Sequence, residues 1–593
     1  MGKKKIEETI LKNKLKSPST NNINKNNNNK NNNNNKNNKN KFKKNSSISE
    51  QQKSLRKLYN KLMLKDKKDK TDIVKKILII IENSYKDFCF KHDGCRILQG
   101  CLKYGDKNQK KIIINKLIPF LYDIINGKYS IYLSAKIFKY ADNNQKKQIL
   151  NEIIIPNFKH LLKYSGGISF AKIMFQNSLK SFQEQLINLY VENYLKIPIE
   201  KINLLKDLDD NNSNNINNSE INNDNNNSNI IKTSKNISFE LETIKESLKT
   251  HIEKQLEQGI HKNFIFQGFL SKIFDNLDSN TQIYLSELFD DDFFPFLDNN
   301  YGLEFLCKLY TVSSSKTRKK IIKKIRENLN DNLNNENYCL YITKIILYTD
   351  DTVIINKFFM NTIIEKLNEN FEKNKNCLKI IYNVFFPFNK KVNNNNENEL
   401  LLYNKSFSNK KDLNKRKEEI IFYIFDKIYK LIVYEIKYLM FDVLFSNFLT
   451  DFMCYLIEKK MIGNFEEILN KIILVIKSDL EENKNNLNEC SLVNKISQIT
   501  IKRIMKIVSD DNNNTNDEFK KYEKTFYFEI SELLKKDLDL FLNTRAVFLI
   551  IQIIENKRTK NLINLDKFKK IIEENKDSKD KDKQGLNLLS KLI

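Results

Sequence analysis

Between residues 57 and 205 the apolar positions recur at intervals of three and four, the period of a helix buried on one side. In KHDGCRILQGCL (91–102) and GKYSIYLSAKIF (127–138) short turns lead into such runs, with Asp93 and Ser130 just ahead of them as candidate helix N-caps. The runs Gln109–Ile125 and Gln145–Leu162 predict further helices between these. The pattern repeats. Lys103–Lys111 reads KYGDKNQKK, and Lys139–Lys147, 36 residues later, reads KYADNNQKK, identical at seven of nine positions. KYSGGISFAKIM (163–174) is a weaker third copy at the same offset. A helix pair of this length cannot cover its own apolar face, so such units stack. The expected fold is all-α, an α-solenoid of helical repeats.

Asparagine- and lysine-rich stretches interrupt the pattern at 1–50, 208–229, 393–398 and 511–516. Such composition buries too little apolar surface to offset chain entropy, which predicts a disordered tail and surface-loop insertions. The chain then divides into a basic Lys/Asn tail (1–50), basic repeats (51–205), an insertion (206–235), middle repeats (236–390), a second insertion (391–411) and a C-terminal helical region (412–593). FFPF occurs at 293–296 and again at 385–388, and both copies read as inter-helix turns whose Phe residues plug the core.

Composition agrees with helices: of 593 residues 40% are hydrophobic, yet only 12 are Gly, 6 Pro and none Trp, too few turn-formers for a doubly wound sheet or a sandwich. Charge changes the picture more. Residues 1–205 hold 42 Lys/Arg and 16 Asp/Glu (+26), whereas the remaining 388 hold 59 and 58 (+1). A localised basic field is the footprint of a polyanion. Residues 53–205, with 29 Lys/Arg against 13 Asp/Glu, are expected to supply most of the affinity for it. No apolar run is long enough to cross a bilayer, no apolar segment follows Met1 as a signal peptide, and no strongly basic amphipathic helix with aromatic anchors stands out, so no membrane partner is expected. Eight cysteines without a CxxC pair point to reduced thiols. Lys3–Lys5 and Lys41–Lys44 are candidate nuclear-import clusters.

The segment 57–111 resembles the first modules of the Pumilio (PUF) repeat superfamily, and within it the divergent nucleolar Penguin-type branch with a CPL domain. The residues that carry this are KLYNKLMLKDKKDK (57–70), KHDGCRILQGCLKYGDKNQKK (91–111) and GKYSIYLSAKIFKY (127–140). It continues more faintly in HKNFIFQGFLSKIFDNL (261–277), NYGLEFLCKLY (300–310), NYCLYITKIILYTDD (337–351) and CLKIIYNVFFP (377–387). KRKEEIIFYIFDKIYKLI (415–432) lies where that branch has its C-terminal helical region, and NTRAVFLIIQII (543–554) is a candidate last repeat.

The resemblance implies RNA binding through the second helix of each repeat, with two side chains on a base edge and one stacked on the base. In the first repeat these are Cys95 and Gln99 on the edge and Arg96 as the stacker. Arg96, Gln99 and Lys103 share one helical face. In the second repeat the equivalent residues are Ile131, Tyr132 and Ala135, and in the third Gly167, Ile168 and Ala171, which offer no hydrogen bond to a base edge. The fourth, Asn263, Phe264 and Gln267, could read and stack. The fifth (Tyr301, Gly302, Phe305), sixth (Leu340, Tyr341, Lys344) and seventh (Leu378, Lys379, Tyr382) depart again. Isolated competent repeats predict little sequence preference, with affinity from phosphates through the basic segment, where Tyr132, Lys136 and Lys139 share a face.

An enzyme is not expected. GxxxxGK[ST], GxGxxG and HExxH are absent, and only four histidines are present. His92–Asp93 reads as a turn and cap, while His160, His251 and His261 read as structural residues, so no metal, cofactor or small-molecule substrate is expected. The leading expectation is an RNA-binding repeat protein of the nucleus and nucleolus, a large-subunit ribosome biogenesis factor that also affects translation. Its expected partners are precursor ribosomal RNA, messenger RNA, DNA and pre-ribosomal proteins. The alternatives are a protein–protein scaffold working through 236–593, or a sequence-specific messenger RNA regulator of the ordinary Pumilio type.

Overall fold

The computed structural model describes residues 37–64, 70–195, 227–289, 293–404, 409–483, 489–510, 517–542, 544–563 and 584–592. Among them every regular element is helical and none is a strand, as the sequence predicts. The tail tract 1–36, most of the tract at 208–229 and the tract at 511–516 lie outside the described residues. The chain forms two compact units, residues 1–149 and 150–593.

In the first unit the repeated nonapeptide has a structural meaning. Asp106 is the N-cap of the helix Lys107–Leu117: its carboxylate accepts from the Gln109 N–H at 2.8 Å, and Gln109 Oε1 accepts from the Asp106 N–H at 3.1 Å. Asp142 and Gln145 form the same reciprocal pair at 2.9 and 3.2 Å. This capping box gives partners to N–H groups that a helix start leaves without any. Each glutamine then reaches back along the array, Gln109 Nε2 donating to Thr71 O (2.9 Å) and Gln145 Nε2 to Lys111 O (3.1 Å). Of the seven identical positions, the Asp and the Gln thus cap the helix, and the Gln also ties it to its neighbour.

Several local expectations are corrected. The tail is not wholly irregular, because a helix runs from Asn37 to Met63. Asp93 is not an N-cap but lies in the first turn of the helix His92–Tyr104, whose N-cap is Lys91. Ser130 holds the cap position, yet its hydroxyl donates to Ile124 O at 2.8 Å instead of accepting from the helix. The run 109–125 breaks into α-helix, a 3₁₀ turn at Ile118–Phe120 and α-helix, because Pro119 has no N–H to continue the ladder. The run 145–162 is likewise interrupted by a π turn at Leu150–Ile154, just ahead of Pro156.

The second unit stacks helix pairs such as Phe264–Phe274 with Ser279–Leu288 and Asn300–Val312 with Ser315–Glu327. Phe293 and Phe296 of the first FFPF are buried, the latter 5.5 Å from Phe305, and Phe385 of the second packs edge-on to Phe452 at 5.5 Å. The corners between paired helices are tight: a Cβ on Gly167 or Gly302 would overlap the carbonyl oxygen of Leu161 or Phe296. Gly302→Ala should therefore destabilise the protein by about 2 kcal/mol through overpacking against backbone. Gly463→Ala, in a helix with open space around it, should stabilise by about 0.5–1 kcal/mol. Thermal melts of the two variants check both signs.

Among the described residues of 391–411, the stretch 391–404 is not wholly a surface insertion: Asn393, Asn398 and Leu401 are buried. Asn394 and Glu397 form another capping box at the start of the helix Asn395–Leu402. Buried Asn393 exchanges amide hydrogen bonds with Asn383 and donates to Asn398 at 3.1 Å. Lys344, wholly buried, donates from Nζ to Leu400 O (2.9 Å) and Leu401 O (3.0 Å) at the other end of that helix. Asparagine here is a core residue because its amides bond to each other and to backbone.

Candidate nucleic-acid interface

The helix His92–Tyr104 buries Gly94, Cys95, Ile97, Leu98, Gly100, Cys101 and Leu102 and turns its other side outward. Arg96 and Lys103 are exposed and Gln99 half-buried, on the one face that their spacing predicts. In the helix Ile131–Tyr140 the outward residues are Tyr132, 69% exposed, Lys139, exposed, and Lys136, half-buried. Cys95 is a correction. Its thiol points inward and donates to Cys89 O at 2.7 Å, and burial pushes it up to about 11, so it cannot meet a base edge.

Cations and aromatic rings alternate around these residues. Lys70 Nζ lies 4.2 Å and Lys103 Nζ 4.9 Å from the centroid of the Tyr104 ring. One repeat later Lys110 Nζ lies 4.9 Å from the ring of Tyr140. Tyr129, 45% exposed, meets the His92 ring edge-on at 5.4 Å. Asp93, an acid on this strip, is neutralised by Arg56, which donates to it from Nη2 at 2.6 Å and Nε at 3.0 Å. Arg56 and then His92 hold its carboxyl below the usual carboxylate range. Sequence reasoning missed Tyr129, Lys70 and Lys110; a visible signal existed only for Lys110, which recurs as Lys146 at the 36-residue offset, as Tyr104 does in Tyr140.

The fourth-repeat triple is a second correction. Asn263, Phe264 and Gln267 are all buried. Asn263 Oδ1 caps its own helix by accepting from Ile265 N–H at 2.9 Å. Gln267 Nε2 donates to His261 O (2.8 Å) and Pro295 O (3.2 Å), and its Oε1 accepts from Asn299. Phe264 packs edge-on to Phe175. Gln267→Ala should destabilise the protein by about 2 kcal/mol, since it orphans buried backbone carbonyls. RNA affinity of the folded variant should not change. A melt and a binding titration on one preparation measure both.

Two other histidines, His251 and His160, form side-chain contacts within the fold, His160 although it is exposed. His251 Nε2 shares a hydrogen bond with Tyr190 Oη at 3.0 Å, and burial drives its ring down to about 4. His160 meets Tyr164 Oη at 3.2 Å. Among the described residues no group of three His, Cys, Asp or Glu is placed to hold a metal ion, and no helix is long and apolar enough to cross a membrane.

Residues 94–118 and 136–154 match the Pumilio-family RNA binding repeat, and residues 373–520 match the CPL (NUC119) domain. The chain is 35% identical over 82 residues to Pumilio homology domain family member 6 of Schizosaccharomyces pombe, covering 14% of this chain and 13% of that protein. It is 23% identical over 415 residues to the protein of that name in Saccharomyces cerevisiae, covering 67% of this chain and 58% of the relative. It thus spans less than two thirds of either. The crystal structure of human Puf-A superposes with a TM-score of 0.56 at 14% identity, over 91% of this chain and 99% of Puf-A. Human Puf-A in complex with DNA gives 0.55 at 13%, over 91% and 98%. At those identities the likeness to Puf-A is one of fold.

Proposed function

Because the chain carries Pumilio-family RNA binding repeats and a CPL (NUC119) domain, we propose that it binds RNA with little sequence preference and serves large-subunit ribosome assembly in the nucleolus. The observation that carries this reading is the make-up of the outward strip in the first unit. Arg96, Lys103, Lys136 and Lys139 suit phosphates, which are alike in every sequence. Tyr132 and Tyr129 offer ring faces that stack on any base. Gln99 alone of the edge positions considered keeps an amide near the surface, and one amide discriminates at one base by about 1–3 kcal/mol. Precursor ribosomal RNA is the proposed target, with pre-ribosomal proteins beside it. The Penguin-type resemblance and the lysine clusters of the tail support that location. Binding of messenger RNA, with an effect on its translation, follows from the same indifference to sequence.

Selection of the purified full chain against a randomised RNA pool at physiological salt tests the mode of binding. No motif should be enriched. One sharp motif that vanishes in Gln99→Ala would sink the reading. Crosslinking in cells and sequencing of the bound RNA tests the target: large-subunit precursor RNA should dominate, and its absence would remove the nucleolar assignment.

A further inference from the structure

The helix Ser315–Glu327 carries a second cluster of cations in a part of the chain whose summed charge is close to zero. Its sequence, SKTRKKIIKKIRE, holds seven Lys/Arg and one Glu. Thr317, Arg318, Ile321, Ile322 and Ile325 face inward, and the Arg318 guanidinium is committed to the carbonyls of Tyr310, Thr311 and Tyr348 at 3.1, 2.8 and 3.2 Å. Lys316, Lys319, Lys320, Lys323 and Arg326 are left exposed in rows spaced three and four residues apart. Like charges at that spacing repel by about 0.2–0.5 kcal/mol per pair. Among the described residues Lys316, Lys319, Lys323 and Arg326 have no carboxylate in ion-pair contact, and Arg326 lies over the ring of Phe358, 4.0 Å from its centroid. Lys316, Lys319 and Lys323 thus carry this repulsion without an ion pair to offset it among the described residues.

We infer that this outward face is a second nucleic-acid site, one that takes the phosphate backbone of double-helical RNA; the inference rests on the RNA-binding reading above. Membrane is the wrong occupant, because the isoleucines that would enter a bilayer are already buried in the fold. An acidic protein is disfavoured, because a protein interface needs an apolar centre and the exposed residues of this helix are charged. A duplex fits. From Lys316 to Arg326 the helix advances about 15 Å, long enough for its cations to meet several backbone phosphates of a duplex. Duplex RNA is recognised by such backbone contacts rather than by base edges.

The test uses the full chain with Lys316→Gln, Lys319→Gln, Lys323→Gln and Arg326→Gln combined, titrated with a labelled RNA hairpin duplex over a salt series. The slope of log K against log salt should flatten by roughly two to three units, with a loss of roughly two to three powers of ten near 0.1 M salt. The melting midpoint should hold or rise as repulsion is relieved. A companion with the three lysines changed to Arg should bind like the parent; if it fails while folded, simple charge is not the cause and the inference falls. If the glutamine variant keeps the parental slope while a first-unit variant at Arg96, Lys103, Lys136 and Lys139 loses affinity, this site is refuted and the first-unit reading stands. The converse result upholds this site and removes the first-unit strip, though not RNA binding itself. Unchanged duplex binding with lost binding to polyglutamate would assign the face to an acidic protein and overturn the inference.

Discussion

Replacing Arg96, Lys103, Lys136 and Lys139 together by alanine is expected to weaken binding of single-stranded RNA by roughly two to three powers of ten near 0.1 M salt. Each cation that meets a phosphate releases about 0.7 of a counterion on a single strand, so four contacts lower the slope of log K against log salt by nearly three units. The loss should therefore shrink as salt rises and be the same for unrelated sequences. Stability should hold, because Arg96, Lys103 and Lys139 are exposed and Lys136 is half-buried. Fluorescence anisotropy on two unrelated oligonucleotides over a salt series is the measurement. A loss confined to one sequence, or one that ignores salt, would show that these residues read bases or hold structure.

Lys344→Met is expected to give the largest change in stability, and one that depends on pH. The buried amine donates to Leu400 O and Leu401 O and lies 3.8 Å from the centroid of the Tyr348 ring. Tyr348 Oη also serves Leu401 O, at 2.7 Å, so the substitution mainly deprives Leu400 and Tyr403, which also accepts from the amine. Each orphaned carbonyl costs about 1–3 kcal/mol. Burial drives the amine down to about 7. The unfolded chain holds that proton up to about pH 10.4. Between these limits the unfolded state binds more protons than the native one, so stability rises with pH. The wild type should pull away from Lys344→Met by at most about 1.4 kcal/mol per pH unit above pH 7. Melts of both proteins at pH 6, 7.5 and 9 decide it, in rough steps of one to two units. A constant gap would mean that the carbonyls keep the amine charged.

The two positions differ in how far the sequence exposed them. Arg96, Gln99 and Lys103 were legible because helical spacing places them together and charge keeps them out. Cys95 and Arg96 are adjacent, yet one lies in the core and the other in solvent, and spacing alone does not say which flank of a helix meets its neighbour. The error at Asn263 and Gln267 has the same origin. Amides suit a base edge or a backbone carbonyl equally well, and here the carbonyls of His261 and Pro295 claim the Gln267 amide. The tract at 393–398 misled through composition: asparagine looks like solvent filler until several amides meet, as Asn383, Asn393 and Asn398 do. The helix Ser315–Glu327 was hidden by summation, its seven basic residues cancelled by acids elsewhere in the segment.

By itself the sequence determined the helical class, the 36-residue register and the concentration of positive charge in the first third, whereas the capping residues Asp106, Gln109, Asp142 and Gln145 emerged only from the structure. The first three features are local or additive, set by the neighbours along one helix or by a count. Only the tertiary structure decided which polar side chains are buried, that Lys344 binds a helix end, and that residues 391–411 include part of the core. Burial is a property of pairs of surfaces, and a polar residue becomes structural only when a partner far along the chain supplies its hydrogen bonds.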